Sequence, residues 1–130
     1  MERLFTLAEA NGELPWLRKK FIELTALRRR SNEVSEEIRE TMIKAKGNGG
    51  FKEEEVNATE KMLSDLMGAI KKRLAEITDK GIVVRDADAG LVDFPSLLNN
   101  EKVHLCWKMG EENIGYWHEI DKGYSNRRPL

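Results

Sequence analysis

A chain of 130 residues fits one ordinary domain, which argues against an enzyme assembled from separate cofactor and substrate domains. With 40% hydrophobic and 35% charged residues it can bury a modest core and is too apolar for a disordered tail; 22 Lys and Arg against 23 Asp and Glu leave a net charge of -1, which advertises neither nucleic acid nor an anionic membrane. The single cysteine, Cys106, rules out an internal disulfide and an all-cysteine zinc site and predicts a reducing, cytoplasmic setting. No apolar run approaches the ~20 residues of a membrane span, and the N-terminus lacks a basic region followed by an apolar core, so neither a membrane helix nor secretion by that route is expected.

The expected fold is α+β in a single domain, 1–130. A long antiparallel α-helical hairpin, coiled-coil-like, occupies 1–81, and a small antiparallel β-sheet with an ordered tail occupies 82–130. Thr6-Leu7-Ala8-Glu9 has capping-box spacing and predicts a short helix from Leu7. Asn11-Gly12 is expected to interrupt it, with Pro15 in the first turn of a new helix. From Leu17 an apolar seam runs through Leu24, Leu27, Ser31, Val34, Ile38, Thr41 and Ala45, and Gly47-Asn48-Gly49-Gly50 supplies the turn. A second seam follows through Val56, Thr59, Leu63, Leu66, Ile70, Leu74 and Ile77, with Gly81 as the residue just past the helix end. Each helix is expected to span about 30 residues, or ~45 Å. Met62, Met67 and Ala69 widen the second seam beyond what one partner covers, which predicts a homodimer in a four-helix arrangement.

After Gly81 the period changes to two. Ile82-Val83-Val84 reads as a short strand, and Leu91-Val92-Asp93-Phe94, stopped by Pro95, as another. Lys102–Met109 alternates, with Val103, Leu105, Trp107 and Met109 on one face and Lys102, His104, Cys106 and Lys108 on the other. Ile114–Ile120 returns as its hairpin partner. A loop of two or four residues sets Trp107 opposite Tyr116, Leu105 opposite His118 and His104 opposite Glu119, keeping apolar groups together; a three-residue loop slips the pairing by one and sets His104 or Cys106 opposite His118. The first register is the expected one.

The blocks Leu4–Asn11 with Leu14-Pro15, Gly90–Pro95, Leu105–Glu111, and Trp117–Tyr124 with Arg127 and Pro129 together resemble an uncharacterised prokaryotic family catalogued as domain of unknown function 2203. The resemblance covers essentially the whole chain. It implies a cytoplasmic setting, carries no activity, substrate or catalytic residue with it, and implies a tyrosine where this chain has His104 and a phenylalanine where it has Tyr124.

Chemistry-bearing side chains crowd into the last thirty residues. His118, Glu119 and Asp121 with His104 or Cys106 offer imidazole, carboxylate and thiolate donors for zinc or iron. Neighbouring strand residues point to opposite faces, however, so His118 and Glu119 do not reach one ion without a bulge or a strand end between them, and no residue is assigned to a metal or cofactor. Cys106 lacks a suitably placed histidine and an oxyanion-hole signature, and reads as a half-buried inert thiol. Asp86–Gly90 with Asp93 departs from a calcium loop at its third ligand, its glycine and its twelfth position, and reads as a polar turn. Arg127 is expected to pair with Asp121, Asp93 or the terminal carboxylate. If Asn48-Gly49 centres the hairpin, residues whose numbers sum to about 99 are neighbours, which sets Arg28-Arg29-Arg30 beside Lys71-Lys72-Arg73. That basic band is expected to be a solvated face balanced by Glu23, Glu33, Glu36 and Glu76, so nucleic acid is not an expected partner.

Two readings of function follow. In the first, a non-catalytic interaction or scaffold protein self-associates through its hairpin and displays Trp117, Lys108 and the ordered tail to a protein partner. The alternative is a small-molecule or divalent-metal site on the sheet, of a binding protein or an enzyme, using His118, Glu119, Asp121 and Arg127 with Trp107 or Trp117 as an apolar wall. The first is favoured because no complete catalytic constellation assembles in the expected register.

Overall fold

The computed structural model describes residues 2–48 and 53–130. It is α+β: helices α1 (Leu7–Asn48) and α2 (Glu53–Asp79) pack antiparallel and are followed by strands β1 (Val83–Asp86), β2 (Leu91–Leu98), β3 (Glu101–Lys108), β4 (Tyr116–Glu119) and β5 (Arg128–Pro129) in one antiparallel sheet of order β1-β2-β3-β4-β5. A 3₁₀ turn, Tyr124–Asn126, precedes β5. No helix among the described residues is long and apolar enough to cross a membrane. The chain forms two compact units, one made of residues up to Ile22 with Leu74–Leu130, the other of Glu23–Arg73.

In the first unit the start of α1 is set by the capping box: the Thr6 N–H donates to Glu9 Oε1 at 2.9 Å and the Glu9 N–H to Thr6 Oγ1 at 3.1 Å. The expected break at Asn11-Gly12 does not occur, and α1 is continuous over 42 residues with Pro15 inside it. Two tertiary facts override the local signals. Asn11 turns its side-chain oxygen to the Ile114 N–H (2.9 Å), so it serves the sheet instead of terminating the helix, and Gly12 sits on an exposed turn where its weak propensity is tolerated. The predicted turn at Gly47–Gly50 falls partly outside the described residues: α1 continues through Asn48, and Gly49 and Gly50 are not described. At the far end of α2, Gly81 takes φ +91° and its N–H reaches the Thr78 carbonyl at 2.9 Å, the expected helix stop.

The sheet's apolar face carries Val92, Phe94, Val103, Leu105 and Trp107, all buried. It closes against the N-terminus and α1 through the edge-to-face pair Phe5–Phe94 (5.2 Å between ring centres), Ser96 Oγ donating to the Phe5 carbonyl at 2.6 Å, and the Arg18 guanidinium over Trp107. β2 runs through Pro95 instead of stopping there. The N and C=O of a strand residue point to the same side, and the Pro95 carbonyl accepts from the Phe5 N–H at 2.7 Å, so the missing donor faces that side and not β3. The β2–β3 hairpin turns on Asn99-Asn100, both at positive φ (51° and 67°), a two-residue turn that is not among the expected elements.

The β3–β4 register differs from the expected one. Val103 pairs with Glu119, His104 with His118, Leu105 with Trp117 and Cys106 with Tyr116, a slip of one residue. The connection is not a tight turn but the longer segment Met109–Gly115, anchored at several points: Glu111 Oε1 accepts the Lys108 N–H (2.8 Å), the Glu111 carbonyl accepts the Trp107 indole N–H (3.0 Å), and the Ile114 N–H is held by Asn11. Ile114 thus buries itself without facing Met109, and the loop, not the alternation of β4, dictates the register.

In the second unit, Glu23–Arg73, Leu24, Val34 and Val56 are buried, while Leu27, Ile38, Leu63, Leu66 and Ile70 of the two seams stay half-buried. The helices meet about one to two turns off the expected alignment: Arg73 pairs with Glu23 (3.4 Å), and Arg30 Nη2 lies 3.5 Å from Met62 Sδ. Arg30 also pairs with Glu33 and Glu37 on its own helix, so the basic band is partly neutralised by neighbours.

Candidate functional site

The face of the sheet opposite Phe94 and Trp107 holds the polar cluster. Asp93 of β2 lies directly across from Cys106 of β3, which lies across from Tyr116 of β4; one row along, His104 faces His118. These rows exist because of the slipped register, which turns His118 onto the face of Cys106 instead of the apolar face. A charged residue inside the strand Leu91–Leu98 was the one signal that β2 contributes to a site, since a carboxylate in an apolar strand needs partners. Asp93, Arg85 and Glu111 are not among the candidate residues expected from the sequence.

Asp93 is buried to 1% exposure and is the centre of the network. Arg85 Nε donates to Oδ2 at 2.7 Å, His118 Nε2 lies 2.9 Å from Oδ1, and His104 Nδ1 lies 3.4 Å from Oδ2. Arg85 lies two residues after Val83, the cross-strand partner of Asp93, so strand alternation puts it on the same face, beside an irregularity in the pairing between Val84 and Asp86. The two imidazoles meet edge to face with ring centres 5.4 Å apart.

The protons can be placed from donor and acceptor rules alone. His118 Nδ1 is 2.8 Å from the Glu119 carbonyl oxygen, which only accepts, so Nδ1 carries a hydrogen. The contact between Nε2 and Asp93 Oδ1 then holds a second proton shared by the pair. His104 Nδ1 lies 3.4 Å from Asp93 Oδ2 but makes its hydrogen bond with Arg85 Nη2 at 3.3 Å, which only donates, so in that bond the nitrogen accepts. The His104 pKa is lowered, first by burial and further by the Arg85 and His118 charges, with Asp93 opposing. Burial, reinforced by the Asp93 charge, pushes the Cys106 thiol up to about 12, the opposite of what a nucleophilic cysteine requires.

The segment after β4 comes back beside this cluster. Arg127 donates to both oxygens of Glu111 (3.0 and 3.1 Å) and lies over the rings of Tyr116 (4.1 Å) and Tyr124 (4.2 Å). Its pKa is raised: burial works against the charge, but the hydrogen bonds and charge of Glu111 outweigh it. The expected partners Asp121, Asp93 and the C-terminus are therefore replaced by Glu111, which also folds the Met109–Gly115 loop. The Leu130 N–H bonds to the Gly115 carbonyl (2.9 Å), pinning the chain's last residues to the same loop.

The six residues singled out from sequence do not form one group. His118 sits inside the cluster, and Arg127 borders it. Trp107 is fully buried on the apolar face and serves the core, and Trp117 shares that side, opposite Leu105. Glu119 pairs with Arg128 at 2.8 Å, and Asp121 is exposed beyond the end of β4. The donors that converge instead are Asp93, Cys106 and His118, each buried, with one ligand atom apiece lying within 4.8 Å of the others. No curated protein and no solved structure matches this chain detectably. A family model described as an uncharacterized conserved protein, DUF2203, matches residues 3–130, and the chain belongs to that family.

Proposed function

We propose that the protein is a non-catalytic cytoplasmic interaction or scaffold module whose helical hairpin pairs with a second copy of itself. The observation that carries this reading is the incomplete burial of the hairpin's own seam. Between Glu23 and Arg73 the side chains of Leu63, Leu66 and Ile70 stay half-buried, and Ile43, Met62 and Met67 are exposed at 56%, 44% and 58%. Nearer the loop end, a cleft of about 270 Å³ lined by Ile38, Thr41, Val56 and Thr59 separates the helices where a tight hairpin would interdigitate.

Charge supports a second copy as the occupant. Segments 23–32 and 66–73, at the open end of this unit, carry six Lys and Arg against one Glu, whereas segments 33–46 and 53–65, at the loop end, carry nine carboxylates against four Lys and Arg. Two copies laid antiparallel bring each basic end against the other's acidic end, while a parallel pairing opposes like charges. The sheet supports the non-catalytic part of the reading: burial and the Asp93 charge disfavour a nucleophilic thiolate at Cys106, and both nitrogens of His118 are engaged by protein atoms.

Sedimentation velocity and native mass spectrometry of the full chain test this directly. A dimer is expected that weakens as salt rises and becomes a monomer when Met62 and Met67 are both replaced by Glu, with helix content retained by circular dichroism. A wild-type monomer at concentrations well above the micromolar range overturns the proposal.

A further inference from the structure

We propose that Asp93, Cys106 and His118 form a binding site for a divalent first-row transition metal ion, zinc by the chemistry of its donors. This stands independently of self-association, since all three residues lie in the sheet. Three adjacent strands each contribute one donor, and carboxylate, thiolate and imidazole together are a set that zinc takes and that magnesium or calcium does not. Donors around a tetrahedral zinc sit about 2.0–2.3 Å from the ion, hence about 3.3–3.6 Å from one another. The three atoms already lie within 4.8 Å, and Nε2 and Oδ1 are 2.9 Å apart, so small side-chain rotations close the site.

The surrounding contacts are those of a ligand shell. His118 Nδ1–H is committed to the Glu119 carbonyl, which fixes the ring and leaves Nε2 as the coordinating nitrogen. Arg85 holds Asp93 by Oδ2 and leaves Oδ1 toward Nε2, the arrangement for a one-oxygen carboxylate ligand. His104, whose Nδ1 faces Arg85, stands outside the set.

The charge balance answers the objection that Arg85 and Arg127 lie close by. Binding displaces the proton between Nε2 and Oδ1 and the thiol proton of Cys106: two protons leave and one dication enters. The net charge of the buried cluster is unchanged, and neither arginine meets a new positive field. Arg127 is in addition neutralised by Glu111. Three protein donors leave a fourth position of the tetrahedron for water or a small anion.

The full chain, untagged and purified without chelator, is assayed for metal by mass spectrometry of the elements, then stripped and titrated with Co²⁺. We expect one zinc per chain, one equivalent of Co²⁺ bound with the intense near-ultraviolet thiolate-to-metal band, and loss of that band with at least about tenfold weaker zinc binding in Cys106→Ser. Because Cys106→Ser can perturb folding, the wild-type titration is decisive by itself. Absence of metal with no thiolate band at excess Co²⁺ overturns the proposal, and so does binding that Cys106→Ser leaves at full strength, which would mark an adventitious surface ion.

Discussion

His118 Nε2 meets Asp93 Oδ1 at 2.9 Å although the two residues stand on β4 and β2, with β3 between them. The bond crosses above Cys106 and His104 and ties three strands together on the face away from Phe94 and Trp107. Such a buried pair is costly to break from one side, because the partner left behind keeps its desolvation penalty.

Replacing His118 with Ala in metal-free protein is therefore expected to cost about 2–4 kcal/mol, as Asp93 retains Arg85 but loses its second strong partner. Urea denaturation followed by tryptophan fluorescence checks it. A change below ~0.5 kcal/mol would show that the network contributes no stability.

Two glycines are expected to respond to alanine in opposite directions. Gly90 takes φ +68°, and a Cβ there would lie 2.6 Å from Met109 Cβ, so Gly90→Ala should destabilise by about 2–4 kcal/mol from combined backbone strain and overlap. Gly12 lies in α1 with open space around it, so Gly12→Ala should stabilise by about 0.5–1 kcal/mol. Thermal melts of the two variants beside wild type suffice.

The α1 capping box sets a pH dependence. The Glu9 carboxyl is held below its usual range, first by the Thr6 backbone N–H and then by the Thr6 hydroxyl. A depressed folded-state pKa contributes stability that is full above the unfolded value, near 4.5, and is lost as pH falls through the lower folded value. The difference in melting temperature between wild type and Glu9→Gln should thus shrink as acid is added below that range. Thr6→Ala should cost about 1 kcal/mol at neutral pH through loss of the cap.

Arg127→Lys is expected to loosen the C-terminal segment in spite of keeping its charge. Both oxygens of Glu111 are held by the single nitrogen Nη1, which a lysine ammonium can imitate, but lysine cannot reproduce the flat guanidinium contact with Tyr116 and Tyr124, a loss of roughly 1–2 kcal/mol. Hydrogen exchange at Leu130, whose N–H bonds to Gly115, should speed up, with core strands β2 and β3 unaffected.

Local chemistry determined much of this protein. The Thr6–Glu9 spacing places the start of α1, the Val56-to-Ile77 stripe and Gly81 bound α2, and the alternation in Lys102–Met109 marks a strand with Cys106 and His104 on its polar face. Each of these rests on contacts between residues a few positions apart, so the information lies in the segment itself. What only the tertiary structure decided depends on residues distant in sequence. Asn11 keeps α1 continuous by bonding Ile114, Phe5 occupies the side on which Pro95 lacks a donor, and Glu111 with Asn11 shapes the β3–β4 loop. That loop moves the register by one residue, and since strand side chains alternate faces, a single step carries His118 from the expected apolar face to Asp93 and Cys106.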